Sequence, residues 1–391
     1  MSILVDWHGP ADWDQPFEKV LAELDGNGYG IDVYFYQSTQ TGSRTCRRAC
    51  EMCFFRRLPQ VTVPIGLATE VAQNLQRRGY CVGLCPADSL VPEVLTSGAS
   101  GSAYRISGLG LTAWTAAAYL AGQSWESILE AAWAAGFRVL VINGQSVAGV
   151  PVPFKGVSTP EQIQVAVDRI RAWNSQRPEQ RFKIGITFTI RSDHDYKSLR
   201  RMGKWAAKNG VAVMRFNCFA NFRGLPQHDR WLLDRPGVER FYGWLARLHE
   251  GMIGSGVQLS VSEDFGDAGI EQMKHLMPVE YQGQQVGRCR SGRRLFALIQ
   301  SDNKLVLTGC VDRLLPIMGQ MVKRSDGWDI DWNIDVINRL AEIQVQRRFY
   351  GCWGGLGWGR KDIGFNDPEA EKYLCPPVAE SLRSLLPLIR H

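Results

Sequence analysis

The stretch that decides the fold runs from residue 31 to residue 55: IDVYFYQ at 31–37, a small polar run TQTGSRT at 39–45, then CRRACEMCFF at 46–55. The first part is short, apolar and rich in aromatic and β-branched residues, which predicts a buried strand. Cys46, Cys50 and Cys53 follow it in C-x3-C-x2-C spacing. In folds built on parallel strands, reactive residues lie just past the strands' C-terminal ends. The cysteine triplet therefore stands where such a fold places its chemistry.

Outward from this segment the pattern repeats. Further strands are predicted at Tyr80–Cys85, Tyr104–Ser107, Phe137–Asn143, Phe182–Ile190, Val211–Asn217 and Val257–Ser262. Helices are predicted between them at Leu67–Arg78, Trp125–Ala135, Pro160–Trp173, Tyr196–Lys208 and Gly237–His249. The fourth carries Leu199, Met202, Trp205 and Ala206 on one face, with Arg200, Arg201, Lys204 and Lys208 elsewhere. Such alternation implies an α/β protein with a parallel sheet, either a barrel or an open doubly wound sheet.

Residues 10–25 form an amphipathic helix pattern closed by Gly26, and 1–28 is read as a helical extension. After about residue 268 the alternation stops and Gly, Cys and Trp become frequent. Leu295–Gln300 and Lys304–Thr308, around Asp302 and Asn303, predict a β-hairpin. The domain reading is 1–28, 29–268 and 269–391.

Composition narrows the class. Apolar residues make up 45% and charged residues 21% of 391, ordinary for a globular protein. No run approaches the roughly 20 apolar residues of a membrane span, and residues 1–8 lack a signal-peptide pattern. The expectation is a cytoplasmic protein without membrane contact. A net charge of +6 is mild over this length and does not argue for nucleic-acid binding. Ten cysteines in a reducing compartment point to metal ligands or reactive thiols rather than disulfides.

Three thiolates on one short loop can hold three corners of a cubane iron–sulfur cluster, leaving one iron for another ligand. Zinc is the competing occupant. It requires a fourth ligand to close its tetrahedron, and no second C-x2-C or H-x3-H follows. Iron–sulfur is the better reading. Arg47, Arg48, Arg56 and Arg57 around the triplet favour thiolates and an anionic cluster, and equally suit a solvated basic loop.

On this triplet and the strand before it, the chain resembles the radical S-adenosylmethionine (SAM) enzymes over residues 29–268. The resemblance implies a partial (βα)6 TIM-like barrel with a 4Fe-4S cluster held by Cys46, Cys50 and Cys53. It implies SAM on the open iron and reductive cleavage to a 5′-deoxyadenosyl radical that abstracts hydrogen from the substrate. It places adenine near Met52 and Phe54, where the family carries an aromatic residue before the third cysteine, and near Val213–Phe216. It places Asp88 toward SAM's amino group, Asn143 toward the ribose and Arg191 toward the carboxylate. The implied reductant is flavodoxin or ferredoxin, and the implied substrate a peptide or small natural-product precursor.

Cys289, Cys310, Cys352 and Cys375 around the expected hairpin resemble the auxiliary-cluster extensions called SPASM or twitch domains, which implies a small α+β iron–sulfur extension with a second 4Fe-4S cluster. The chain departs from their pattern in lacking closely spaced final cysteines, and Cys218 could replace one of the four. Cys81 and Cys85 share a strand face, as buried hydrophobes do. His194 and Asp195 fit a helix start. A non-catalytic zinc- or cluster-stabilised binding protein, contacting nucleic acid through its arginines, is the alternative function.

Overall fold

The computed structural model describes residues 4–5, 15–24, 31–38, 46, 50–51, 63–86, 88–96, 105–106, 110–144, 147, 154–219, 226–261, 294–299, 304–309 and 317–338. In chain order the elements are β1 (Leu4–Val5), α1 (Phe17–Ala22), β2 (Asp32–Ser38), β3 (Val63–Pro64), α2 (Ile65–Arg77), β4 (Cys81–Pro86) and α3 (Pro92–Thr96). Then come β5 (Arg105–Ile106), β6 (Gly110–Thr115), α4 (Ala117–Leu120), α5 (Trp125–Ala134), β7 (Val139–Asn143), α6 (Pro160–Gln176), β8 (Lys183–Ile190) and α7 (Tyr196–Lys208). The rest are β9 (Val213–Cys218), a 3-10 helix (Pro226–Trp231), α8 (Arg235–Gly251), β10 (Gln258–Val261), β11 (Arg294–Ile299), β12 (Leu305–Thr308), β13 (Ile317–Arg324) and β14 (Gly327–Trp332).

The α/β class holds. One sheet has the order β1-β10-β9-β8-β7-β6-β5, in which neighbours from β6 to β10 all pair in parallel. The other has the order β14-β13-β12-β11-β2-β3, with β4 also paired to β2. The two sheets meet between β4 and β6. There the Ser89 amide donates to the Trp114 carbonyl at 2.8 Å, and the Trp114 amide donates to Ser89 Oγ at 3.0 Å.

Strand β8 shows how the layers arise. Ile184, Ile186, Phe188 and Ile190 alternate onto one face and share a core with Ile163 and Val167 of α6, Leu199 and Met202 of α7, and Phe241 of α8. Each such burial contributes about 1.5–3 kcal/mol. The opposite face carries Gly185, Thr187, Thr189 and Arg191. A second, smaller apolar group, Val139, Val141 and Val213 with Trp114, belongs to that inner face. Helix α6 begins where its sequence dictates: the Thr159 side chain accepts from the Gln162 amide, Gln162 answers on the Thr159 amide, and Pro160 follows the cap.

Three differences from the sequence reading stand out. Strand β6 lies in a stretch where no strand was predicted. GLTAWT mixes small and polar residues, and its burial comes from flanking strands rather than its own hydrophobicity. Helix α1 starts after Pro16, whose extended backbone (ψ 142°) excludes Gln15 from the helix. The β13–β14 hairpin, turning at Gly327 with φ +116°, was not anticipated.

The expected hairpin of β11 and β12 is present. It extends the sheet of β2, because β11 pairs with β2 in parallel, Leu295 opposite Val33. The described residues between 294 and 338 thus share a core with the N-terminal half: Phe17, Val33, Leu75, Leu295, Leu307 and Ile330 form one cluster. Among the described residues, no helix is long and apolar enough to cross a membrane.

Candidate active site

Asn143 ends β7, Thr187 and Thr189 lie near the end of β8, and Arg215 and Asn217 near the end of β9. Register puts Asn143 beside Thr187, Thr187 beside Arg215, and Arg215 beside Ser260 of β10. One level of the inner face is therefore polar across four strands. The Asn217 amide donates to Thr187 Oγ1 at 3.0 Å, and Arg215 Nη1 donates to Asn217 Oδ1. Arg215 also reaches past β8 and β7 to lay its guanidinium 5.0 Å from the Trp114 ring centre. Asn143, Arg215, Asn217 and Trp114 are only half-buried, whereas Thr187 and Ser260 of the same level are buried.

Cys46 and Cys50 follow β2 in sequence, and Cys50 lies against the loop after β7. Both carry half-buried thiols, and neither is in a disulfide. The Cys50 thiol donates to the Gly156 carbonyl at 3.0 Å. Next to it, the Glu51 amide donates to the Lys155 carbonyl at 2.8 Å, and the Lys155 amide returns a bond to Glu51 Oε2 at 3.3 Å. Glu51 Oε1 meets His228 Nε2 at 3.3 Å. The Lys155 amide holds the Glu51 carboxyl below its ordinary pKa; burial opposes it, and His228 adds a further lowering.

Beneath this contact lies an aromatic nest from the loops after β7 and β9. Phe154 stacks on Phe219 at 5.3 Å and meets Trp231 edge-on at 4.8 Å and His228 at 5.5 Å.

Arg191, past the end of β8, is 1% exposed. Its Nε and Nη2 grip Asp193 Oδ1 and Oδ2 at 2.8 and 3.1 Å, a two-point pair. His194 Nδ1 accepts from the Arg191 amide at 3.3 Å. Burial, and then the Arg191 charge, push the His194 pKa down to about 4, so the ring is neutral at pH 7. Asp195 caps α7 by accepting from the Ser198 amide at 2.7 Å, the helix-start role its sequence suggested.

Asp88 is 1% exposed, and both its oxygens accept backbone amides: Leu90 at 3.0 Å and Ala116 at 2.7 Å. It shapes the turn after β4 and ties that turn to the strand end of β6. Val213 and Phe216 are buried on opposite faces of β9. Cys218 is buried, and Cys81 is half-buried.

Of the expected site residues, Asn143 ends a strand, Asp88 and Arg191 stand just past strand ends, and Cys50 contacts the loop after β7. Met52, Cys53, Phe54, Cys289, Cys310, Cys352 and Cys375 lie outside the described residues, as does the side chain of Cys85. Among the described residues, no group of three or more His, Cys, Asp or Glu is placed to hold a metal ion. Two free cysteines, Cys46 and Cys50, on the loop after β2 are of the donor type that iron–sulfur clusters use. Sequence reasoning missed Glu51, His228 and Asn217, and it included Arg215 only within the range Val213–Phe216. The alternation of Val213, Arg215 and Asn217 was legible; the partnership of Glu51 with His228 carried no local signal.

No protein-family model matches this chain, and no curated protein does. Among solved structures, Streptococcus suis SuiB is similar at 12% identity and TM-score 0.48, covering 75% of this chain and 64% of SuiB. SuiB bound to S-adenosylmethionine is similar at 11% identity and TM-score 0.47, covering 72% of this chain and 60% of that one. SuiB bound to precursor peptide SuiA is similar at 12% identity and TM-score 0.46, covering 72% and 60%. The aligned part of this chain thus spans 60 to 64% of the length of these structures.

Proposed function

We propose that the chain is a radical SAM enzyme, its core a partial barrel, in which Cys46, Cys50 and Cys53 hold a 4Fe-4S cluster. The observation that supports this reading is the pair of half-buried, disulfide-free cysteines, Cys46 and Cys50, that follow β2, with Cys50 against the loop after β7. When bound, such a cluster supplies the electron that splits the sulfonium of SAM into methionine and a 5′-deoxyadenosyl radical, which takes hydrogen from substrate.

The chain's own residues do the rest by positioning. Asn143, Thr187 and Arg215 offer the hydrogen-bonding level on which SAM and substrate rest, and the Trp114 ring gives it an apolar wall. Asp88 and Arg191 hold the turns that frame this level, through Ala116 and Asp193. The substrate is a peptide or small natural-product precursor, the reductant a flavodoxin or ferredoxin, and the compartment the cytoplasm. Cys289, Cys310, Cys352 and Cys375 supply a second, auxiliary cluster.

Anaerobic reconstitution with iron and sulfide, then dithionite and SAM, tests this. The expected result is 5′-deoxyadenosine that disappears in Cys46→Ala and Cys50→Ala, with about eight irons per chain. About four irons would remove the auxiliary cluster alone. Tightly bound zinc with no SAM cleavage would overturn the reading in favour of a metal-stabilised binding protein.

A further inference from the structure

Glu51 sits inside the cysteine motif, and among the described residues its hydrogen bonds go to loops rather than to strands. Its amide and one carboxylate oxygen form a two-bond bridge to the backbone of Lys155, and its other oxygen meets His228. The loop that carries Cys50 is thereby pinned to two other loops at once, those after β7 and β9. His228 is itself immobilised: its side chain is 3% exposed and packed between Phe154 and Trp231, with ring centres at 5.5 and 5.1 Å. Glu51 by contrast is 24% exposed, so the pair closes the nest at its solvent side.

We propose that Glu51 is a positioning residue for the cluster loop, acting through Lys155 and His228 to hold Cys50 in the ligating geometry. This role rests on the cluster reading above. Residues that orient first ligands carry about 10–100-fold in metal affinity when removed. Glu51→Ala deletes both side-chain contacts. Glu51→Gln keeps them: its carbonyl accepts from the Lys155 amide, and its amino group donates to His228 in the other neutral tautomer. His228→Phe keeps the aromatic packing and deletes one contact.

The test has two arms. In the metal-free protein, alkylation of Cys50 by iodoacetamide, followed by mass spectrometry, should be several-fold faster in Glu51→Ala than in wild type. In the reconstituted protein, loss of the roughly 400 nm absorbance to a chelator should be about tenfold faster in Glu51→Ala and His228→Phe, with a broadened EPR signal of the reduced cluster. Glu51→Gln should restore both rates toward wild type, with Tm equal across the set. Wild-type rates in Glu51→Ala, or a failure of Glu51→Gln to rescue, would overturn the role while the cluster reading stands. A wild-type protein that takes up no cluster would overturn the cluster reading and this role together.

Discussion

Asp88 accepts the Ala116 amide at 2.7 Å, across the seam where β4 of one sheet gives way to β6 of the other. Its second oxygen accepts the Leu90 amide, so one buried carboxylate shapes a turn and joins two sheets. A carboxyl group is suited to this because each of its two oxygens can accept a backbone amide.

Replacing Asp88 by Ala strands two backbone amides at a buried seam. Each unsatisfied donor costs about 1–3 kcal/mol, so unfolding in urea should show a loss of about 2–6 kcal/mol. Asp88→Asn, which keeps one acceptor oxygen, should lose about half of that.

The Tyr34 ring lies over Gly83 on the neighbouring strand: a Cβ added at Gly83 would come within 2.5 Å of two ring carbons. Gly83→Ala must displace the ring, at about 1–3 kcal/mol. Thermal unfolding measures the loss, and the double variant Gly83→Ala with Tyr34→Leu should recover part of it.

The pH dependence of stability carries the signature of His194. Its folded pKa of about 4 lies below the unfolded value near 6.5. In that window the unfolded chain binds the extra proton, so stability is complete above pH 6.5 and falls as pH drops toward 4. The loss reaches about 3 kcal/mol. Chemical unfolding at a series of pH values should show this slope in wild type and a flatter profile in His194→Asn.

Arg215→Met retains an apolar stem against Trp114 and removes the guanidinium that bonds Asn217. If the polar level holds the ligand, the Kd for SAM or substrate should rise about tenfold, equivalent to about 1.4 kcal/mol, with Tm near wild type. Equilibrium dialysis distinguishes this from general destabilisation, in which Tm falls and the Kd of the folded fraction is unchanged.

Much of the fold was legible because its causes are local. Short apolar runs rich in β-branched and aromatic residues marked β2, β7, β8 and β9, and β7 and β8 are indeed buried almost throughout; the stretch Pro160–Trp173 marked α6. Strand β6 escaped because Gly110, Thr112 and Ala113 carry little hydrophobic signal of their own; neighbours on both sides make the strand. Arg191 was read as a ligand group from its place at a strand end, and the structure adds Asp193, two residues on, as its bidentate partner.

The sequence by itself determined where thiols cluster, which segments alternate, and that the cysteines follow a strand, since spacing and periodicity are properties of neighbouring residues. Only the tertiary structure decided that β11 lies parallel to β2, and that Glu51 meets His228 across 177 positions of chain. Such pairings depend on loop closure and on the packing of whole layers, and no short window of residues encodes either.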